Sequence, residues 1–343
     1  MHALLGLVPP PGGPGGMTGV MWMPTLPVTV SRLFAVHPQP IPVLPLLGLG
    51  LLLGYGVGVV VLRRRGDAWP VTRTACWIIG VLTLELMTAT GFDGYGMELF
   101  SVHMVQHMTL SMVTPIFLAL GAPVTLLLRE LSGGGRQRRR IRWGVLRVLH
   151  SRPAAFLANP IVTGLLFLFS LYGLYFTPAF TALMSTMWGH NLMLIHFLLI
   201  GMLYFWGVLG VDPSPRRGGS RMGAAAGPVG RIAEMAIPVP FHAFFGVVLM
   251  MASTVVVSFY AAPMGFLGVT ALGDQQTAGG IAWGFTELPT LLVLSVLFLQ
   301  WQRSDARHTA AAERKALRDG DADLVAYNEQ LQQLAARDAR RGR

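Results

Sequence analysis

The sequence has one cysteine, one lysine and few charges of any kind. Cys76 stands alone among 343 residues, which excludes an intrachain disulfide framework and any paired-cysteine metal or redox motif. Lys315, the single lysine, lies in the C-terminal tail. A seven-helix protein holding retinal on a Schiff-base lysine of its last span is therefore excluded too. Asp, Glu, Lys and Arg make up 12% of the chain, against about a quarter in soluble domains. Apolar residues make up 53% and the mean hydropathy is +0.55. Neither a water-soluble multidomain enzyme nor a disordered chain has such a composition.

What is present is a series of long apolar runs. A bilayer core about 30 Å thick needs roughly 20 apolar residues per helix. Seven stretches meet that need: 41–62, 74–92, 97–120, 158–177, 187–210, 236–260 and 277–301. The arginines orient them. Arg63, Arg64, Arg65 and Arg73 lie in the first connection, Arg129 to Arg152 in the third, and Arg216, Arg217, Arg221 and Arg231 in the fifth. The tail after Trp301 is basic as well, whereas the second, fourth and sixth connections carry no basic residue. Only Arg32 falls on the other side. The predicted fold is an all-α polytopic membrane protein with seven transmembrane helices, N-terminus outside and C-terminus cytoplasmic.

Residues 1–40 form a Pro/Gly-rich lead-in, with PPPGGPGG at 9–16, and lack the charged start of a signal peptide. They read as a loosely ordered extracytoplasmic segment, and Met17 and Met21 are alternative starts. The seven-helix domain covers 41–301. The cytoplasmic tail, 302–343, is expected to be helical, because Leu324, Tyr327, Leu331 and Leu334 recur at three- and four-residue spacing. Asp319, Asp321 and Asp323 ahead of it read as a helix start. The net charge of +10 then reports topology and contact with anionic membrane lipid, with no nucleic-acid partner. Gly50, Gly54 and Gly58 form a small-residue stripe suited to helix packing. No internal repeat is evident, which argues against a transporter.

Ionisable groups inside a bilayer cost several kcal/mol, so each needs a reason. The most specific feature is His103-Met104-Val105-Gln106-His107-Met108 in the third span. Residues four apart share a helix face, the spacing at which two imidazoles bind one metal ion. Imidazole with thioether from Met104 or Met108 suits copper, the thioether favouring Cu(I). At 1.5 Å per residue, His103 lies ~9 Å and His107 ~15 Å from the outer end of the span. The bland alternative is a pair of neutral imidazoles hydrogen-bonded between helices. In the fifth span His196 lies ~14 Å deep and is the expected third ligand, with His190 nearer the rim. His107 and His196 also suit a rival reading, a bis-histidine haem-binding electron carrier. Glu287 lies ~15 Å deep in the seventh span, a candidate for charge balance, and Glu85 ~10 Å deep in the second. His242 lies ~27 Å along its helix from Tyr260. An uninterrupted sixth span would leave it apart from the outer cluster, in a second site or as a satisfied interfacial histidine. Asp274 reads as an N-cap, or as a first stop for an incoming cation.

At these residues the chain resembles the seven-helix cytochrome c oxidase assembly factors of the CtaG type found in Gram-positive bacteria. The resemblance is carried by HMVQHMTLSMVTPIFLALGAPVTLLLR at 103–129, LYFTPAF at 174–180 and WGHNLMLIHFLLIG at 188–201. It continues through FWGVLGVDPSPRR at 205–217, PFHAFFGVVLM at 240–250, DQQTAGGIAWGFTELPTLLVLSVLFLQW at 274–301 and DADLVAYNEQLQQLA at 321–335. It implies a multi-pass protein of the bacterial plasma membrane that works on cytochrome c oxidase subunits, is no enzyme, and supplies copper to the oxidase. His103, His107, His196 and His242 match the family's histidine positions, and Asp274 its acidic loop position. Leu194 departs from it, since members often carry a further histidine there.

Overall fold

The computed structural model describes residues 21–215, 228–263, 265–319 and 322–341. PPPGGPGG, Met17, Arg216, Arg217, Arg221 and Asp321 lie outside them. The described residues are helical and contain no strand; a single bridge joins Val36 to Thr90. In chain order the helices are α1 (Val30–Phe34), α2 (Val43–Arg64), α3 (Val71–Thr88), α4 (Gly91–Glu98) and α5 (Phe100–Met108). A π-helical turn (Thr109–Val113) leads into α6 (Thr114–Leu120), α7 (Pro123–Glu130), α8 (Arg136–Leu149) and α9 (Arg152–Leu157). Then come α10 (Pro160–Tyr175), α11 (Ala179–Met184), α12 (Met187–Leu209), α13 (Pro228–Ala236) and α14 (Pro238–Met251). The last three are α15 (Ala271–Phe285), α16 (Glu287–Asp319) and α17 (Ala322–Arg341).

Among the described residues six helical runs are long and apolar enough to cross a membrane: 43–64, 71–88, 100–133, 187–209, 230–251 and 271–311. The apolar helix at the position of the fourth expected span, α10, has only 16 residues. The chain divides into two units, one through Leu294 and one from Ser295 onward. In the second, α17 forms as its periodicity predicts, with Tyr327, Leu331 and Leu334 exposed.

Within the first unit the run from α5 to α6 is central, touching α3, α12 and α15. It is also the most buried run, at 61%, followed by the α12 run at 56%; the remaining runs are a third buried or less. The π turn has a local cause. Pro115 has no N–H to donate, and its ring crowds the carbonyl four residues earlier. The ladder widens by one residue, and Thr114 N–H donates to the Thr109 carbonyl. The displaced Ser111 carbonyl rests against Gly201 of α12, where any Cβ would collide with it. Glycine there lets the two backbones meet, as small residues do between membrane helices.

Three expectations change. Parts of the lead-in from Trp22 to Pro40 are anchored, although 25–31 are exposed: Trp22 covers Gly94 and stacks on His37 at 4.0 Å, and Tyr95 Oη donates to the Leu26 carbonyl. The stripe Gly50, Gly54, Gly58 is no seam, because only Gly58 meets a neighbour, Leu126. The sixth span stops at Met251 and is followed by irregular chain with two short 3-10 turns, so no continuous helix joins His242 to Tyr260.

Candidate functional site

Two buried carboxylates fix the ends of the central run. Leu99 is extended and caps nothing with its side chain. Asp274 of α15 takes over, accepting Phe100 N–H at 2.6 Å and Ser101 N–H at 3.3 Å. Its own helix is capped by Thr270 instead. Asp274 is thus an N-cap, as expected, but of the histidine helix. At the other end Asp212 accepts the N–H groups of Val124 and Thr125, both at 2.9 Å, and so caps α7. Acceptors at these helix starts satisfy donors that have no partner within the helix.

Between these anchors α5 places His103 and His107 on one face. His103 is 0% exposed; its Nε2 lies 2.9 Å from Tyr175 Oη, and its Nδ1 has no partner. His107 is 2% exposed, and neither ring nitrogen has a hydrogen-bond partner. Aromatic rings wall in the pair. Phe197 meets His107 edge-on at 4.1 Å, Tyr175 lies 5.5 Å from it, and Phe180 stands edge-on to His103 at 5.2 Å. Met104 and Met108 are fully buried on the same helix.

The other expected residues fare unequally. His196 lies within electrostatic reach of His107, with its Nε2 2.8 Å from Ser170 Oγ of α10, while the adjacent Phe197 faces His107 edge-on. His242 is 2% exposed, its Nε2 is unpartnered, and it too lies within electrostatic reach of His107. Glu287, the candidate for charge balance, has an exposed side chain. Thr286 occupies the inward position, bonded to the Ala282 carbonyl at 2.8 Å, and the next residue turns about 100° away. Glu85 is half-buried over Gly48 of α2. Among the described residues no three His, Cys, Asp or Glu side chains are arranged to hold a metal ion.

Several buried polar residues escape sequence reasoning. His190, expected at the rim, is 1% exposed, with Nε2 3.9 Å from Asp93 Oδ1 of α4. Asp93 also accepts from Gln106 Nε2 at 3.0 Å. Burial pushes the Asp93 carboxyl up to about 7, although hydrogen bonds from Gln106 and Gln39 pull it down. Glu98, 1% exposed with both oxygens unpartnered, is likewise pushed up to about 7 by burial. The available signal was Asp93 in a short connection free of basic residues and Glu98 at the start of the third apolar stretch. Tyr175 offered none beyond its place in LYFTPAF.

The model of one protein family, described as cytochrome c oxidase caa3 assembly factor, matches residues 53–304. The chain belongs to this family. It is also 43% identical over 293 residues to proteins described as uncharacterized from Mycobacterium bovis and Mycobacterium tuberculosis, a match covering 84% of this chain. A Mycobacterium leprae protein, also described as uncharacterized, is 41% identical over 287 residues, or 82% of this chain. The matched region is 43% of the first two relatives and 42% of the third, so the chain spans less than half their length. No solved structure matches it. Family membership, helical architecture and membrane-capable helices together make this a multi-pass membrane protein.

Proposed function

We propose that this family member is a seven-helix assembly factor of the bacterial plasma membrane that binds Cu(I) and helps insert it into a haem–copper cytochrome c oxidase. In this reading α10 is the seventh span, short because Pro160 and the turn at Phe176 bound it. The arginine-rich connections lie in the cytoplasm. There α8 rests on anionic lipid, with exposed Ile141, Trp143 and Val148 beside its arginines.

One observation carries the copper reading. Both ring nitrogens of His107, Nδ1 of His103 and Nε2 of His242 are buried without partners. Leaving one such group unpaired costs roughly 1–3 kcal/mol, so four together are a standing cost that a bound cation would relieve. A neutral imidazole nitrogen is a donor to copper, and buried thioethers on the same helix favour the cuprous state. The chelating pair is His103 and His107, and His242 and His196 are the further imidazoles within electrostatic reach of it.

Competition against a coloured Cu(I) chelator tests the site in purified, detergent-solubilised protein. Wild type takes one Cu(I) per chain, and His107→Ala takes none while its circular dichroism stays helical. Equal copper affinity in the two proteins overturns the site.

A further inference from the structure

A cavity of about 540 Å³ opens where the connection after α10 meets the chain after α14. Phe176, Thr181, Ser185, Val257 and Ser258 line it, and its inner wall is made by Tyr175 and Phe180, themselves 2% and 1% exposed. These two rings also bound the imidazole pair. Phe180 stands edge-on to His103, Tyr175 Oη lies 2.9 Å from His103 Nε2, and the Tyr175 ring is 5.5 Å from His107. One layer of aromatic side chain thus separates a cavity of many water volumes from nitrogens that lack partners. The lining is uncharged and carries hydroxyls: Thr181 Oγ1 lies 3.4 Å from Ser258 Oγ, and Ser185 Oγ donates to the Ala182 carbonyl. Such a surface passes a small cation without retaining it.

The geometry points to this cavity as the entrance to the imidazole pair and to Tyr175 as its gate, and this rests on the copper reading of that pair. Breaking the Tyr175–His103 hydrogen bond and swinging the ring into the cavity opens the imidazole pair to an ion arriving from that side. The ring returns behind it. Because only a hydrogen bond and ring packing hold the latch, its strength sets rates of entry and exit more than the equilibrium affinity.

Stopped-flow transfer of Cu(I) from a coloured chelator to purified protein tests the gate. Ala182→Trp and Ser258→Trp fill the cavity from opposite walls at exposed positions. Each is expected to slow loading by about tenfold or more while leaving the final stoichiometry unchanged. Tyr175→Phe keeps the ring and loses the latch, so loading and release both speed up and Kd changes little. Loading at the wild-type rate in both tryptophan variants overturns the entrance. A Tyr175→Phe protein with wild-type rates overturns the gate. Failure of wild type to take Cu(I) at all would instead overturn the copper site, so the two readings fail separately.

Discussion

Glu98 shows what a single buried acid does to this protein. Its carboxyl ionises at about 7 in the folded chain against an ordinary 4.5, because burial disfavours the anion. Tyr260, which donates to the Gly96 carbonyl at 2.7 Å, is its electrostatic neighbour and also senses Asp274. Below pH 4.5 both folded and unfolded chains hold the proton and stability is greatest. As pH rises towards 7 the unfolded chain loses the proton and the folded chain keeps it, so stability falls; above 7 it levels off. Asp93, shifted from 3.8 to about 7, adds a second contribution in nearly the same window. The melting temperature in detergent is therefore expected to drop by several degrees between about pH 5 and 8, and Glu98→Gln should roughly halve the drop. An unchanged slope in the variant removes Glu98 as a cause. At this scale the sequence was partly legible. The four-residue spacing of His103 and His107 is a local pattern and survives in the fold. Tyr175, 72 residues from His103, is brought to it by packing, and no periodicity announces that contact. Phe197, next to His196, faces His107 because adjacent residues on a helix differ by about 100° in direction, which depth counting does not resolve.

The histidine helix depends on a residue from another helix. The two N–H groups at the start of α5 bond to Asp274, which lies in the first turn of α15. One carboxylate therefore completes α5 and complements the N-terminus of α15. Asp274→Ala should cost about 1–2 kcal/mol and speed amide exchange at the start of α5. Asp274→Asn, which retains an acceptor oxygen, should lose less. Wild-type exchange at Phe100 and Ser101 in the alanine variant would show that the cap is dispensable. An acid in an N-terminal turn is readable from sequence, but the helix it caps is not, since that depends on how α5 and α15 pack. The π turn has a similar standing. Pro115 in an apolar run marks a break, yet the accommodation of the freed Ser111 carbonyl by Gly201 belongs to the tertiary contact. Gly50 and Gly54 show the converse, for small residues at regular spacing have a partner only where a neighbouring helix comes close.

At the scale of the whole molecule, arginines and cavity belong to different connections. Arg65 donates to the Glu130 carbonyl and Arg231 to the Leu209 carbonyl, both from arginine-bearing connections. The cavity, Tyr175 and the imidazole pair lie toward the end formed by α4, α11 and the chain after α14. Under the proposed orientation, with the arginines in the cytoplasm, the cavity would face outward and take copper from the extracytoplasmic side. That direction separates delivery from scaffolding in the native host. Deleting the gene should lower oxidase activity when copper is scarce. A protein whose task is to concentrate copper becomes dispensable once the metal is abundant, so added copper should restore activity. A His107→Ala allele should behave like the deletion at low copper and be rescued in the same way. Oxidase activity measured in membranes at both copper levels decides the matter. If the deletion strain stays inactive at high copper while the His107→Ala strain is active at low copper, the helices serve the oxidase by contact, and the imidazole pair has no part in it.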